Sequence, residues 1–333
     1  MYTIFCAILP VFLIIGIGAV VEKMQILPQN AANALSAFAI NIAIPCLTFH
    51  IMSTAPLDKM TQWSWWLGIL LVQTGLYAAL YLFLRLRGKD TGESVIYSLS
   101  VAFANVGFVG LPVIINVYNN DNEALTCAGL VMVAANVLAI VSQMTLIAWA
   151  GKKKKTQKEP EKRLPLHSRI WRFLTRYILS NTVLMATLFG IIVAVAGIHV
   201  WEPLDKGIAM IGYTAPTCML FTMGFSLREN IVRAAAAHAI SFSQQFWLCL
   251  WRLVLAPLAT LAVMTALHID PVWVSATVIC QTTGTAIYVS ALGQLYNAAP
   301  GQAALTVAAT NLLSLFSLSG MLMLLHFLGL MPV

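Results

Sequence analysis

Residues 100–113 read SVAFANVGFVGLPV, an apolar segment with four residues near its middle that disturb a helix: Asn105, Gly107, Gly110 and Pro112. Glycine leaves the backbone exposed, and proline removes a hydrogen-bond donor and clashes with the preceding helical turn. The pattern therefore predicts a helix that is interrupted within an apolar environment. Half-helix ends created in this way present backbone groups and partial charges, which transporters use for binding.

The rest of the chain is equally apolar. Of its 333 residues, 60% are hydrophobic and only 9% are charged, and the mean hydropathy is +0.84. Because a soluble domain carries about 25% charged residues, this composition excludes an ordinary soluble enzyme. A spanning helix needs roughly 20 apolar residues, so we predict an all-α polytopic membrane protein with about ten transmembrane helices. The predicted spans are residues 3–22, 31–53, 63–86, 94–117, 123–149, 176–198, 207–227, 237–267, 271–296 and 302–330.

The positive charges predict the topology of these spans. Ten of the 19 Lys and Arg residues fall between positions 152 and 176. With the N-terminus outside, the inside loops hold most of the Lys and Arg residues, as the positive-inside rule requires. We therefore expect a plasma (inner) membrane protein with both termini outside and a basic cytoplasmic loop at 151–175. The lysine-rich part of this run, residues 152–163, contains no aromatic residue, so nucleic acid is not an expected partner.

An internal repeat indicates how the spans are arranged. Residues 130–146 align with residues 305–321, and the alignment pairs Asn136 with Asn311. Two halves of five spans each must have opposite orientations, because five is an odd number. Inverted repeats of this kind are typical of secondary transporters. The expected divisions are a first five-helix repeat at 1–150, the basic loop at 151–175 and a second five-helix repeat at 176–333.

Prolines also correspond between the halves. Pro45 of the second span aligns with Pro216 of the seventh at nearly the same offset, and Asn41 precedes Pro45 by one turn. A proline in a membrane helix often means only a kink. Its recurrence in both halves favours a paired kink at a substrate site, to which we also assign Asn41.

The ninth span carries a second candidate interruption. Its middle contains Gln281, Thr282, Thr283 and Gly284 in succession. Polar groups within lipid need partners, which a second broken helix crossing the first would supply. We expect the amide and the two hydroxyls to bind substrate; close helix packing through small residues is the alternative.

Two of the ionisable residues within the predicted spans are candidates for function. Arg252 lies about 15 residues into the eighth span, where an ionised group costs several kcal/mol unless it finds a partner or water. No acidic residue lies well inside a span, so Arg252 suits an anionic substrate, bound directly or through another group; snorkelling is the alternative. His50 is a candidate proton carrier for coupling, or else a hydrogen-bonded structural histidine. The scattered Cys and His residues predict no metal site and no cofactor.

Three motifs together resemble the auxin efflux carrier family of permeases, which includes bacterial malonate-transporter-like proteins. Residues 41–45 read NIAIP, residues 105–112 follow the family's NxGxxGxP pattern, and Arg252 precedes Pro257 in the eighth span. The resemblance implies a bile-acid-symporter-like fold with crossing broken helices in spans 4 and 9, a scaffold domain and a moving transport domain. It also implies organic anions as substrates and makes a homodimer plausible. Many members have a proline in the ninth-span break, which is missing here.

These observations favour a secondary transporter of small organic anions, such as malonate or malate, that works by alternating access. The chain has no GxxxxGK[ST] motif, so a gradient or a partner must supply the energy. A sodium-coupled carrier of the bile-acid symporter type and a transporter-like sensor are the alternatives. A membrane enzyme is not expected, because the His residues are scattered and no carboxylate pair lies beside them.

Overall fold

The computed structural model describes residues 2–28, 30–155, 181–228 and 242–331. The predicted loop at 151–175 lies outside the described residues beyond Lys155. The helices of the first half are α1 (Tyr2–Lys23), α2 (Ala31–Phe38), α3 (Ile44–Ser53), α4 (Leu57–Met60), α5 (Trp63–Leu86), α6 (Thr91–Ala102), α7 (Leu111–Val117) and α8 (Asn122–Lys155). Those of the second half are α9 (Thr182–Val195), α10 (Glu202–Gly212), α11 (Thr214–Phe225), α12 (Phe242–Leu250), α13 (Ala256–Ala266), α14 (Pro271–Thr282), α15 (Ile287–Leu295) and α16 (Pro300–Phe327).

The predicted all-helical class is confirmed, since the described residues form helices and no β-strand. Six helical stretches among them are long and apolar enough to cross a membrane: Ala31–Ser53, Trp63–Leu86, Asn122–Gly151, Glu202–Phe225, Ser243–Ala266 and Pro300–Phe327. The predicted fourth and ninth spans are each divided into two shorter helices. The described part of the sixth span is the shorter apolar helix α9.

Prolines explain why several of these stretches are not regular α-helices. A π-helical turn at Ala39–Ala43 precedes Pro45, one at Val106–Gly110 precedes Pro112, and one at Trp251–Leu255 precedes Pro257. Proline lacks an amide hydrogen and clashes with the carbonyl four residues earlier, so the backbone widens locally. Asn41, Gly107 and Arg252 all lie within these widened turns.

The helices pack as two bundles. In the flanking bundle, formed by α1–α3 and α9–α11, α1 packs against α11 and α9 packs against α3. Gly18 of α1 and Gly224 of α11 allow this close approach, because a Cβ on either would collide with the other helix's backbone. In the crossing bundle, formed by α5–α8 and α12–α16, α5 packs on α6 as α13 packs on α14. Corresponding helices of the two halves thus make corresponding contacts.

One end of the crossing bundle is joined by polar contacts. The Nζ of Lys59 lies 2.9 Å from Oε1 of Glu123 and 3.1 Å from Oδ2 of Asp270. Glu123 also accepts a hydrogen bond from Nε1 of Trp273, at 2.7 Å, and Asp270 caps α14 by accepting from the amide of Val272. Hydrogen bonds to the two carboxylates raise the pKa of Lys59 above its usual value. This cluster connects the short helix α4 to the starts of α8 and α14.

The pKa of Lys59 makes the stability of this end depend on pH. A raised folded-state pKa stabilises the fold below the ordinary value of 10.5, and the contribution is lost as the pH rises through the folded-state value. We expect Lys59→Met to reduce the free energy of unfolding by about 1 kcal/mol at neutral pH. The difference in apparent Tm between the wild type and this variant, measured in detergent, should shrink at strongly alkaline pH.

Lys206→Met is the matched control, because the pair of Lys206 with Glu202 is largely exposed to solvent and should contribute little. If the apparent Tm of Lys59→Met stayed below that of the wild type by the same amount above the pKa of the lysine, the assigned role of the two carboxylates would be contradicted.

Candidate functional site

Two interrupted helices meet in the middle of the crossing bundle. α6 ends at Ala102 and α14 at Thr282, and the extended residues that follow each of them pair with one another. Ala104 and Thr285 form an antiparallel bridge. The amide of Asn105 donates to the carbonyl of Gly284 at 2.9 Å, and the amide of Ala286 donates to the carbonyl of Phe103 at 3.0 Å. The two breaks therefore satisfy each other's backbone groups, as a protein within lipid requires.

Side chains of α16 hold this junction in place. Nδ2 of Asn311 donates to the carbonyl of Thr285 at 2.8 Å, while its Oδ1 accepts from Nδ2 of Asn105 at 2.7 Å. Thr310 Oγ1 accepts from the amide of Thr285 at 2.9 Å. Gly284 packs directly against the backbone of Asn311, because a Cβ at this glycine would lie 2.6 Å from both Cα and N of Asn311. α16 thus binds both breaks at once.

Arg252 lies behind the junction and is completely buried. Its Nε donates to the carbonyl of Thr283 at 2.9 Å, its Nη1 to the carbonyl of Val101 at 2.8 Å and its Nη2 to the carbonyl of Gln281 at 2.9 Å. These carbonyls belong to the C-terminal ends of α6 and α14, which have no partners within their own helices. The guanidinium therefore caps both half-helices.

The charges at this point compensate each other. A helix C-terminus carries a partial charge of about −0.5. Two such ends sum to about −1, which one guanidinium neutralises. This arrangement explains how an arginine can be buried although no carboxylate pairs with it in the described part of the chain.

A cavity of about 540 Å³ opens on the other side of the junction, between the two bundles. It is bordered by the π-helical turn of the second span, by both breaks, by the middle of α8 and by the start of α9. Among the described residues that line it, none has a charged side chain. Its polar lining side chains are Asn41, Asn105, Asn136, Gln143, Asn181, Thr182 and Tyr288.

Besides the start of α9, which Asn181 caps, the N-termini of the second halves of both broken spans border this cavity. One helical stretch begins at Val106 and α15 begins at Ile287, and both residues line the cavity. The first amides of a helix have no carbonyl partner within it and carry a partial charge of about +0.5. These amides therefore place partial positive charge of backbone origin at the wall of the cavity.

The structure separates the predicted site residues into two sets. Asn41, Asn105, Gly107 and Asn136 line the cavity. The others lie outside its lining: Pro45, Gly110, Pro112, Pro216, Arg252, Gln281, Thr282, Thr283, Gly284 and Asn311. The backbones of Gln281, Thr283 and Gly284 and the side chains of Arg252 and Asn311 build the junction instead.

Several predicted ligands are engaged elsewhere. The hydroxyl of Thr282 donates to the carbonyl of Val278 at 2.7 Å, and that of Thr283 donates to the carbonyl of Cys280 at 2.9 Å. Both side chains are buried, so their hydroxyls satisfy the helix end. The side-chain nitrogen of Gln281 is buried without a hydrogen-bond partner among the described residues. None of these three side chains is therefore part of the cavity lining.

His50 lies away from the cavity. It is in the last turn of α3, where its Nδ1 is 2.8 Å from Oδ1 of Asp205 at the start of α10. The ring also makes an edge contact with Tyr213, at 6.1 Å between centroids. This position corresponds to the structural alternative for His50, in which a hydrogen bond joins two helices of the flanking bundle.

Four polar lining residues were not predicted from the sequence: Gln143, Asn181, Thr182 and Tyr288. Gln143 follows Asn136 by seven residues, which places both on one face of α8, so its periodicity was a usable signal. Asn181 caps α9 by accepting from the amide of Leu184, which resembles an ordinary helix start. The hydroxyl of Tyr288 donates to Oε1 of Gln143 at 3.1 Å, a contact that joins α15 to α8.

A buried junction of two broken apolar helices beside a cavity is the architecture of a membrane transporter, and comparisons with known proteins agree. The chain matches the family described as "Membrane transport protein" over residues 3–322. It therefore belongs to this family, the auxin efflux carrier family that its motifs resemble. It is accordingly an integral membrane transporter of small molecules and not an enzyme.

Two relatives are also transporters by name. A Rhizobium meliloti (strain 1021) protein named "Putative malonate transporter" is 26% identical over 323 residues, which cover 96% of this chain and 95% of that protein. A Methanothermobacter thermautotrophicus protein named "Uncharacterized transporter" is 27% identical over 116 residues, which cover 34% of this chain and 38% of that protein.

Proposed function

We propose that this protein is a secondary transporter of small organic anions, with carboxylates such as malonate or malate as substrates. The observation that carries the proposal is the cavity between two helix N-termini. Backbone amides supply its partial positive charge, and none of the described residues in its lining has an anionic side chain. The name of the Rhizobium meliloti relative supports the same substrate class.

The charge of the cavity matches that of a carboxylate. The two helix N-termini at the breaks contribute about +0.5 each, so their sum compensates roughly one negative charge. In the proposed complex, backbone amides near Val106 and Ile287 donate to carboxylate oxygens, and Asn136, Gln143 and Asn181 provide further polar contacts. The apolar remainder of the lining suits the short carbon chain of the substrate.

Alternating access would use the two bundles. The cavity lies between them, because Asn41 and Asn181 belong to the flanking side while Asn105 and Asn136 belong to the crossing bundle. Movement of one bundle past the other would open the cavity first to one face of the membrane and then to the other.

We further propose ten spans in two inverted five-helix repeats, at 1–150 and 176–333, in a bile-acid-symporter-like fold. The antiparallel pairing of the two breaks and the matched contacts of corresponding helices support this arrangement. The positive charges favour an inner-membrane location with both termini outside and the loop at 151–175 in the cytoplasm.

Uptake into proteoliposomes tests the substrate class. We expect wild-type protein to take up labelled malonate and to discriminate against malonamide, its uncharged counterpart, because the helix N-termini stabilise only the anion. Gly107→Ala should fold normally, since the new Cβ would make ordinary contacts with Met132 and Ile44. The methyl group would narrow the cavity beside the first amides and raise KM roughly fivefold, a loss of about 1 kcal/mol.

Gly75→Ala is the matched control, because nothing lies within 4 Å of the position of its Cβ. Equal uptake of malonate and malonamide, or no uptake across a panel of mono- and dicarboxylates, would refute the proposal. Binding of malonate without counterflow of preloaded label would instead identify the transporter-like sensor.

A further inference from the structure

The position of Arg252 bears on which ion, if any, accompanies the substrate. In transporters with broken helices, the carbonyls of half-helix C-termini are the groups that coordinate a cotransported cation. Here three such carbonyls, of Val101, Gln281 and Thr283, accept hydrogen bonds from the guanidinium of Arg252.

We propose that the guanidinium of Arg252 is a permanent internal cation that takes the place of a sodium ion at the helix junction, so that transport proceeds without sodium. The inference rests on the proposed function and decides between a sodium-independent carrier and the sodium-coupled alternative.

The geometry of the guanidinium fits this role. Three different nitrogens of Arg252 each donate to one carbonyl, at distances between 2.8 and 2.9 Å. The planar group has its donors in a rigid fork and stays charged, so it can serve two helix ends at once. A lysine would supply a single nitrogen in the same place.

Neighbouring carbonyls at the breaks are occupied as well. The carbonyl of Ser100 accepts from Oγ1 of Thr285 at 2.6 Å, and that of Thr282 accepts from Oγ of Ser317 at 3.4 Å. A metal ion needs several free oxygen ligands and would also be repelled by the adjacent guanidinium. Within the described ranges, no group of three or more acidic, His or Cys side chains could hold a metal ion either.

Removing the guanidinium should convert the junction into a cation site. Arg252→Ala would leave three buried carbonyls without donors and a space of guanidinium size beside them. We expect malonate uptake to fall at least roughly tenfold, because unpaired buried carbonyls destabilise the junction. Sodium or free guanidinium, each at millimolar concentration, should partly restore uptake and raise the apparent Tm, whereas choline should do neither.

Wild-type protein provides the first readout. Its malonate uptake and its Tm should be the same in sodium and in choline buffers, and Arg252→Lys should transport more slowly but remain independent of sodium. Arg87→Ala is the matched control, since Arg87 is exposed at the end of α5 and its removal should create no response to guanidinium.

Sodium stimulation of wild-type uptake, or a sodium-dependent rise in its Tm, would overturn the proposal. A folded Arg252→Ala protein that responds to neither cation would also overturn it. If Arg252→Ala does not fold, the wild-type and Arg252→Lys measurements still test whether transport is independent of sodium. A wild type that transports no carboxylate would refute the proposed function alone, because the Tm measurements test the cation site separately.

Discussion

Replacing Gly284 with alanine is expected to abolish transport and to lower the apparent Tm sharply. The new Cβ would lie 2.6 Å from both Cα and N of Asn311, so the clash is with backbone and not with a side chain that could rotate away. Relief would require α16 to move from the junction, which would break the hydrogen bonds of Asn311 and Thr310 to Thr285. Overpacking against backbone should reduce the free energy of unfolding by about 3 kcal/mol or more.

Gly320→Ala is the control for this experiment. Gly320 lies on α16, the same helix as Asn311, but nothing is within 4 Å of the position of its Cβ. Thermal melts in detergent and malonate uptake should therefore match the wild type for Gly320→Ala, since alanine also favours a helix over glycine. Near-normal stability of Gly284→Ala would mean that the two helix breaks do not pack on α16 as described.

The two asparagines that the repeat pairs with each other are expected to behave differently. Asn311→Ala should reduce the free energy of unfolding by roughly 3 kcal/mol, because Nδ2 of Asn105 and the carbonyl of Thr285 would both lose a partner in a buried site. Asn136→Ala should leave stability nearly unchanged, since its Nδ2 donates only to the carbonyl of Met132 in the preceding turn. It should instead raise KM, because Asn136 lines the cavity.

Melting curves and uptake kinetics of both variants separate the two roles. A change in KM without loss of stability for Asn311→Ala, or the reverse for Asn136→Ala, would contradict the assignment of one asparagine to the junction and the other to the cavity.

Local sequence patterns predicted the features that depend on a short stretch of chain. The helix break after Ala102 was expected from glycine and proline chemistry within residues 100–113, and an irregularity was expected at Pro45. That these prolines and Pro257 are preceded by π-helical turns was not predicted. The polar run at 281–284 likewise indicated an interruption in the ninth span. Each of these inferences needs only the properties of neighbouring residues.

The assignment of individual residues to the substrate was less predictable. Thr282 and Thr283 are as polar as Asn105, yet their hydroxyls bond to their own helix end. Conversely, Asn181 resembled a helix cap and Tyr288 an ordinary aromatic residue of a span, but both line the cavity. Whether a polar side chain faces the cavity depends on the rotation of its helix about the helix axis and on the neighbouring helices. A local sequence pattern specifies neither.

The sequence by itself determined that this chain is a helical membrane protein, where its helices are interrupted and that Arg252 is exceptional, because the cost of polar groups in lipid acts on every segment separately. Only the tertiary structure decided which side of the junction each group occupies. It placed the helix N-termini toward the cavity and the C-termini toward Arg252, since pairing of the two breaks requires parts of the chain about 180 residues apart. The arginine that the sequence suggested as a partner of the substrate therefore caps the first halves of the two broken spans, whereas the second halves begin at the cavity.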